Sequence, residues 1–273
     1  MTIIQSIILG VIQGITEFIP VSSSAHLVLA PYYLGWDIPE GQAFLFDVLV
    51  QSATLVSVIL YFWTDLVEII RKFFAGLAAG KPFQDPSAKL GWLLILATIP
   101  AGIAGLFLED MIESAFSEPI LTAILLFGTA GLLVLAELVG KRNRPLEALT
   151  WKDAIWIGFF QALALFPGIS RSGSTITGGM TRNLERPAAA RFAFLMSIPI
   201  MLAATVFAAS DLVASEELSN MLLPLLVGCL TAGIVGYLTI RWLLGFLNRR
   251  SLYPFAIYCA LVGAFTLVLY FIR

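Results

Sequence analysis

Two short stretches hold the residues able to do chemistry. "EFIPVSSSAH", Glu17–His26, sets a carboxylate, three consecutive serines and the chain's single histidine inside an apolar run. "PGISRSGSTITGG", Pro167–Gly179, sets Arg171 among glycines and hydroxyls. Ser23 and His26 are three residues apart and share a face if helical; a hydroxyl beside an imidazole is a usual way to activate a nucleophile. Gln13 and Glu17 are four apart and point the same way, placed to orient His26 or to hold a divalent cation through oxygen. One carboxylate and one amide form a thin ligand set, so such a cation would need substrate phosphates and water to complete its shell. Arg171 brings a planar fork suited to phosphate. Ser22 and Ser24 in the first stretch, and Ser170, Ser172, Gly173, Ser174 and Thr175 in the second, add hydroxyls and close backbone approach. Together these residues predict a site for an anionic, phosphate-bearing ligand. The second stretch is not a Walker loop, because its spacing and its lysine are absent. A plainer reading stands beside this one, with serines as helix caps, a packed histidine and a structural Glu17–Arg171 pair.

The elements that must position these residues are membrane elements. Of 273 residues, 59% are hydrophobic and 12% charged, against about 25% charged in soluble domains. The composition predicts an all-α polytopic membrane protein. A net charge of −2 gives no nucleic-acid signal. Cys229 and Cys259 lie in apolar runs and predict buried thiols without a disulfide framework. Met1–Thr16 carries no charged side chain, so a cleavable signal peptide is not expected. Uncharged runs long enough to span occur at Leu90–Leu108, Pro119–Ala136, Phe192–Ser210, Leu218–Ile240 and Ser251–Ile272, and Phe46–Trp63 joins them with Asp47 at its edge, predicting six transmembrane helices. Asp65–Lys81 predicts an interfacial amphipathic stretch or a short solvated helix.

Two apolar regions are broken, about 3–35 by Glu17, Pro20 and the serines, and about 154–183 by Pro167, Gly168 and Arg171. Each predicts two half-helices forming a re-entrant hairpin, tolerated at membrane depth only where it faces protein or a watery cavity. Pro20 cannot continue a helix. A serine then caps the next half-helix, whose free N–H groups make an anion site. The regions also match each other: Gly10, Gln13, Phe18, Ser22 and Ser24 recur as Gly158, Gln161, Phe166, Ser170 and Ser172, always 148 residues on. This predicts one membrane domain of two inverted halves, 1–140 and 150–273, with function near the midplane between them. On that topology every Lys and Arg except Arg171 and Arg273 falls on one side, and the opposite loops carry acids such as Asp37, Glu109, Asp110, Glu113 and Glu216. The basic side is then cytoplasmic and both termini lie outside.

"QGITEFIPVSSSAH" (Gln13–His26) and "PGISRSGSTITGG" resemble the two signature motifs of the bacterial undecaprenyl-diphosphatase, or bacitracin-resistance, family. "FDVLVQSATLVSV" (Phe46–Val58) and "YPFAIYCALVGA" (Tyr253–Ala264) are similar to it as well, so the resemblance covers nearly the whole chain. It implies a multi-pass plasma-membrane enzyme that removes one phosphate from undecaprenyl diphosphate, recycling the lipid carrier for cell-wall synthesis and conferring bacitracin resistance. It implies catalytic roles for Glu17, Ser23, His26 and Arg171, a divalent cation, magnesium or calcium, and a homodimer. Gln13 is the neutral variant at the first motif position, which weakens a two-carboxylate metal site. The expected mechanism has Ser23 attack the terminal phosphorus, His26 handle the proton, Glu17 orient it or help bind the metal, and Arg171 hold the diphosphate. Attack by His26 or by water stays open, and the cavity is expected to open outward. The rival from a different class is a secondary transporter or flippase of a lipid phosphate, to which inverted repeats and broken helices are equally suited.

Overall fold

A computed structural model describes residues 1–108, 111–112, 118–214 and 217–272; of residues 40, 207–214 and 217–220 it describes the backbone alone. Glu109, Asp110, Glu113, Glu216 and Arg273 lie outside the described residues. The helices are α1 (Ile3–Thr16), α2 (Ser23–Leu34), α3 (Glu40–Tyr61), α4 (Trp63–Ala78), α5 (Pro86–Phe107) and α6 (Pro119–Val139), then α7 (Trp151–Leu163), α8 (Arg171–Thr181), α9 (Arg186–Ala214), α10 (Glu217–Leu247) and α11 (Tyr253–Ile272). Six of them, α3, α5, α6, α9, α10 and α11, are long and apolar enough to cross a membrane, and they coincide with the six spans expected from the sequence. The chain is a polytopic all-α membrane protein. Large apolar side chains stay exposed on its flank, Leu106, Phe107, Leu138 and Phe271 by more than 70%, as a lipid-facing surface requires. Asp65–Lys81 falls mainly on α4, tied down by Lys72–Asp85 and Arg191–Asp65. Cys259 is buried as expected, Cys229 is only half-buried, and neither forms a disulfide.

The two broken regions form short helices. α1, α2, α7 and α8 have 11–14 residues, roughly 17–21 Å of rise, against a hydrocarbon core of about 30 Å. The second region begins slightly earlier than expected, at Trp151, because Thr150 caps it. Both leading helices open with capping boxes: Thr2 with Gln5 on α1, Thr150 with Asp153 on α7. α1 stops at Thr16, so Glu17–Val21, with Pro20 inside, form the turn into α2. Ser22 then caps α2 in the left-handed region, φ 72°, a conformation few non-glycine residues adopt. In the second region Gly168 makes the corresponding sharp turn at φ +99°, and Ser170 caps α8, its hydroxyl accepting from the Gly173 amide at 3.1 Å.

Each short leading helix is buried against a long helix of the other half of the chain, α1 on α10 and α7 on α5. The approach is backbone-close. A Cβ on Gly14 would stand 2.7 Å from the Ala232 carbonyl oxygen, and one on Gly158 2.5 Å from that of Ala97. α8 packs among α6, α7 and α9. Phe18, in the first turn, stands edge-on to Phe194 of α9 at 5.5 Å, and Phe18, Phe46 and Phe192 are among the largest fully buried side chains. Small residues at such crossings let helices associate where lipid leaves no hydrophobic drive between them.

Among the described residues, every ion pair other than Glu17–Arg171 lies at the end expected to carry the basic residues. Asp153, fully buried, accepts from Arg144 Nη2 at 2.7 Å, Arg182 Nε at 2.6 Å and Thr150 Oγ1 at 2.7 Å. Glu137 accepts from Arg142, from Arg186 and from the Leu252 amide. These carboxylates clamp the ends of α6, α7, α8 and α9 together, on which the placing of Arg171 at the other end of α8 depends.

Two outcomes follow. Burial raises the pKa of Asp153, but its arginine and threonine partners outweigh that and hold the carboxyl well below its ordinary value. A depressed pKa contributes stability above the unfolded value, roughly 3.9, that is lost as pH falls toward the folded one. Asp153→Asn therefore lowers stability by about 2 kcal/mol at neutral pH, less than for a fully buried pair because Arg144 and Arg182 are partly exposed, and flattens the acid limb of thermal unfolding in detergent. Gly158→Ala destabilises by about 1–3 kcal/mol through overpacking, whereas Gly131→Ala, with open space at its Cβ, leaves the melting temperature unchanged or higher.

Candidate active site

The tips of the two broken regions meet in a cleft of about 190 Å³, lined among others by Glu17, Ser22, Ser23, Ser24, Ser170 and Arg171. Its centre is Glu17, 7% exposed. Oε1 of Glu17 takes a hydrogen bond and salt bridge from Arg171 Nη2. Oε2 accepts from Ser23 Oγ at 2.7 Å and from Gln13 Nε2 at 3.0 Å. A carboxylate this deep needs such company, since an uncompensated charge in an apolar interior is strongly unfavourable. Ser23 and Arg171 are each the first residue of a half-helix, α2 and α8, so two helix N-termini point their free N–H groups and positive dipole ends into one space. The tips are stitched directly, Ser172 Oγ donating to the Ile19 carbonyl at 3.3 Å.

The expected Ser23–His26 hydrogen bond is not formed. His26 Nδ1 lies 2.7 Å from the Ser22 carbonyl oxygen, and Nε2 lies 2.8 Å from Tyr258 Oη on α11. A carbonyl only accepts, so Nδ1 carries a proton and the neutral ring's Nε2 accepts from Tyr258. The tyrosine and imidazole rings stack at 5.6 Å. A shared helix face at i, i+3 allowed the Ser23 contact, but the turn gave Ser23 a nearer acceptor in Glu17. His26 does not line the cleft; it anchors the strained cap at Ser22.

The other expected binding residues divide. Ser22 and Ser24 line the cleft with their hydroxyls 3.2 Å apart. Ser170 lines it while capping α8. Ser172, Gly173, Ser174 and Thr175 lie behind the wall, buried in the packing of α8. The helix rotates them away from the tip: Thr175 Oγ1 donates to the Arg171 carbonyl at 2.7 Å, and a Cβ on Gly173 would stand 3.0 Å from Ser170 Cβ. Gln13 is likewise behind the wall, holding Glu17 in place. Three contributors escaped sequence reasoning, Gln51 and Gln161 in the lining and Tyr258 against His26. Gln161 carried a signal, as the counterpart of Gln13 in the internal match; Gln51 and Tyr258 sit in apolar helices with none.

A divalent cation fits this site only in a substrate-borne form. Among the described residues no three His, Cys, Asp or Glu side chains come together, and both Glu17 oxygens are engaged. Beside Glu17, Gln13 Oε1 is buried without a hydrogen-bond partner among the described residues, and it can serve an ion that brings phosphate and water as its remaining ligands.

Residues 6–265 match the family described as bacitracin resistance protein BacA. The chain is 43% identical over 269 residues to an undecaprenyl-diphosphatase of Geotalea daltonii, covering 98% of each chain. It is 41% identical over 269 residues to one of Myxococcus xanthus, covering 98% of this chain and 89% of the relative. It is 42% identical over 273 residues to undecaprenyl-diphosphatase 2 of Stutzerimonas stutzeri, covering 99% of both.

Proposed function

The chain belongs to the bacitracin resistance protein BacA family, and on that premise we propose that it is an undecaprenyl-diphosphate phosphatase of the bacterial plasma membrane. It hydrolyses undecaprenyl diphosphate to undecaprenyl phosphate and inorganic phosphate, returning the carrier to cell-wall synthesis and conferring bacitracin resistance. The single observation that carries the mechanism is Glu17 bridging Ser23 and Arg171. In the resting site Arg171 is neutralised by Glu17. A diphosphate, with more negative charge and a matching oxygen geometry, takes the guanidinium. Glu17 is thereby released from its cation and becomes a stronger base toward the hydroxyl already hydrogen-bonded to it. Ser23 Oγ attacks the terminal phosphorus as its proton passes to Glu17. The bond from that phosphorus to the bridging oxygen breaks, and undecaprenyl phosphate leaves with the proton. Water then attacks the phosphoserine, giving its proton to Glu17; the bond from phosphorus to Ser23 Oγ breaks, Glu17 returns that proton to the serine oxygen, and inorganic phosphate departs. Positioning and charge stabilisation do most of the work in phosphoryl transfer, and the two helix N-termini with Arg171 supply them. His26 acts through Ser22, holding the cap that presents Ser23.

Glu17 and Gln13 Oε1 would hold a magnesium or calcium ion carried in with the substrate. When bound, the ion supplies neutralising charge at the phosphoryl oxygens.

Short α1–α2 and α7–α8 pairs, each with a tip at the cleft, support reading them as re-entrant hairpins of two inverted halves, 1–140 and 150–273. The basic end supports a cytoplasmic assignment for that side, with the termini and the cleft on the outer side. A flippase of a lipid phosphate shares the architecture, but a hydroxyl hydrogen-bonded to a buried carboxylate favours an enzyme.

Purified protein should release phosphate from a short prenyl diphosphate. Glu17→Gln and Arg171→Ala should each lower kcat/KM by at least about 100-fold, and Ser23→Ala should do the same. Full turnover in all three would refute the assignment. Chelation should abolish release and added magnesium or calcium restore it; activity indifferent to chelator would remove the cation from the scheme.

A further inference from the structure

Gln161 is the least satisfied buried polar residue at the cleft. It lies on the third turn of α7, 2% exposed, and lines the cleft with Glu17, Ser23 and Arg171. Neither Nε2 nor Oε1 has a hydrogen-bond partner among the described residues. Buried amides are almost always paired, and each exception calls for an explanation. Its counterpart 148 residues earlier, Gln13, shows the structural use of the same side chain: that amide donates to Glu17 and, at 3.5 Å, to Thr54 Oγ1. Gln161 has no such use. The position corresponding to Glu17 in the second region is Leu165, so Gln161 has no carboxylate to hold. The helix nonetheless brings its amide to the cleft wall, where an apolar side chain of equal size would be more favourable for folding.

We infer that Gln161 is a ligand-contacting residue: its amide Nε2 donates to an oxygen of the substrate's terminal phosphoryl group, and its Oε1 accepts from the water that attacks this group once it has passed to Ser23. The two halves of the amide require two kinds of partner. An ionised diphosphate has acceptors only, so it satisfies Nε2 and leaves Oε1 needing an O–H. In the cleft that O–H belongs to water, and the same water can pass its second proton-bearing bond toward Glu17. The site therefore discriminates for a hydrated terminal phosphoryl group. The inference rests on the phosphatase reading above for the identity of the reaction, though not for the diphosphate contact itself.

The decisive variant is Gln161→Met, which keeps length and volume and removes both polar atoms. Full-chain protein in detergent is assayed on a short prenyl diphosphate, and its melting temperature is followed with and without inorganic diphosphate. The expected result is a free protein as stable as wild type or more so, KM raised about 10- to 100-fold by loss of a hydrogen bond to a charged group, kcat lowered, and a thermal shift by inorganic diphosphate that is reduced or lost. An unaltered KM with a lowered melting temperature would overturn the inference and make the amide a structural element, held by buried water. A Gln161→Met protein that fails to fold would overturn it equally, because an amide without a protein partner should not be needed for folding. Gln161→Glu supplies a second readout: acceptors only, and like-charged to the ligand, it should raise KM beyond the methionine variant while the protein stays folded. If wild type releases no phosphate, the phosphatase reading fails; a wild-type thermal shift by inorganic diphosphate that Gln161→Met abolishes would still uphold the contact.

Discussion

A buried carboxylate must be compensated, and the way Glu17 is compensated organises this molecule. It holds one cation, Arg171, and two neutral donors, Ser23 and Gln13. These come from both broken regions, so neither turn is placed without the other. Glu17 and Ser23 are separated by a turn too tight for continuous helix, and Pro20 enforces the break. Arg171 is 154 residues further along the chain. An apolar substitute for a buried ion pair is often tolerated in folding, and in the proposed mechanism charge is kept here because a charged ligand exchanges with it.

In the proposed mechanism the resting ion pair also sets selectivity. A ligand must compete with Glu17 for Arg171, and a singly charged carboxylate or ester offers less than a terminal phosphoryl group does. On that mechanism, only a ligand able to take the guanidinium frees Glu17 to serve Ser23. Binding and activation are thus one exchange. The long helices contribute indirectly: Gly14 against Ala232 and Gly158 against Ala97 bring the short helices deep enough for their tips to meet, while Asp153 and Glu137 fix the far end of the same elements.

Much of this was legible in the sequence. Spans follow from uncharged length, which the bilayer dictates, so all six emerged. The breaks at Pro20 and Gly168 are likewise local: a proline lacking its N–H and a glycine at positive φ announce themselves. The Glu17–Arg171 pair was legible only as the plainer of two readings, since burial of two unlike charges leaves them each other or a ligand as partner. Directions of side chains around a helix tip were not. Ser23 turning to Glu17, and His26 turning to Ser22 and Tyr258, depend on a left-handed Ser22 that no residue type demands. Ser172 to Thr175 read as donors by composition, yet a helix of 3.6 residues per turn carries only its first residues to the cleft.

The internal match shows how one scaffold was divided between two tasks. At the cap, Ser22 and Ser170 are equivalent, and each does the same capping. One residue on, the copies differ: Ser23 in one, Arg171 in the other. Both occupy the N1 position, where free amides favour an anion, and both reach the same carboxylate. Four residues before Glu17, Gln13 braces it; four before Leu165, Gln161 has nothing to brace. The residues that cap are alike in the two halves and those at the cleft differ, as the proposed mechanism needs, since a nucleophile and a cation are both required and a symmetric pair of either would leave the other role unfilled.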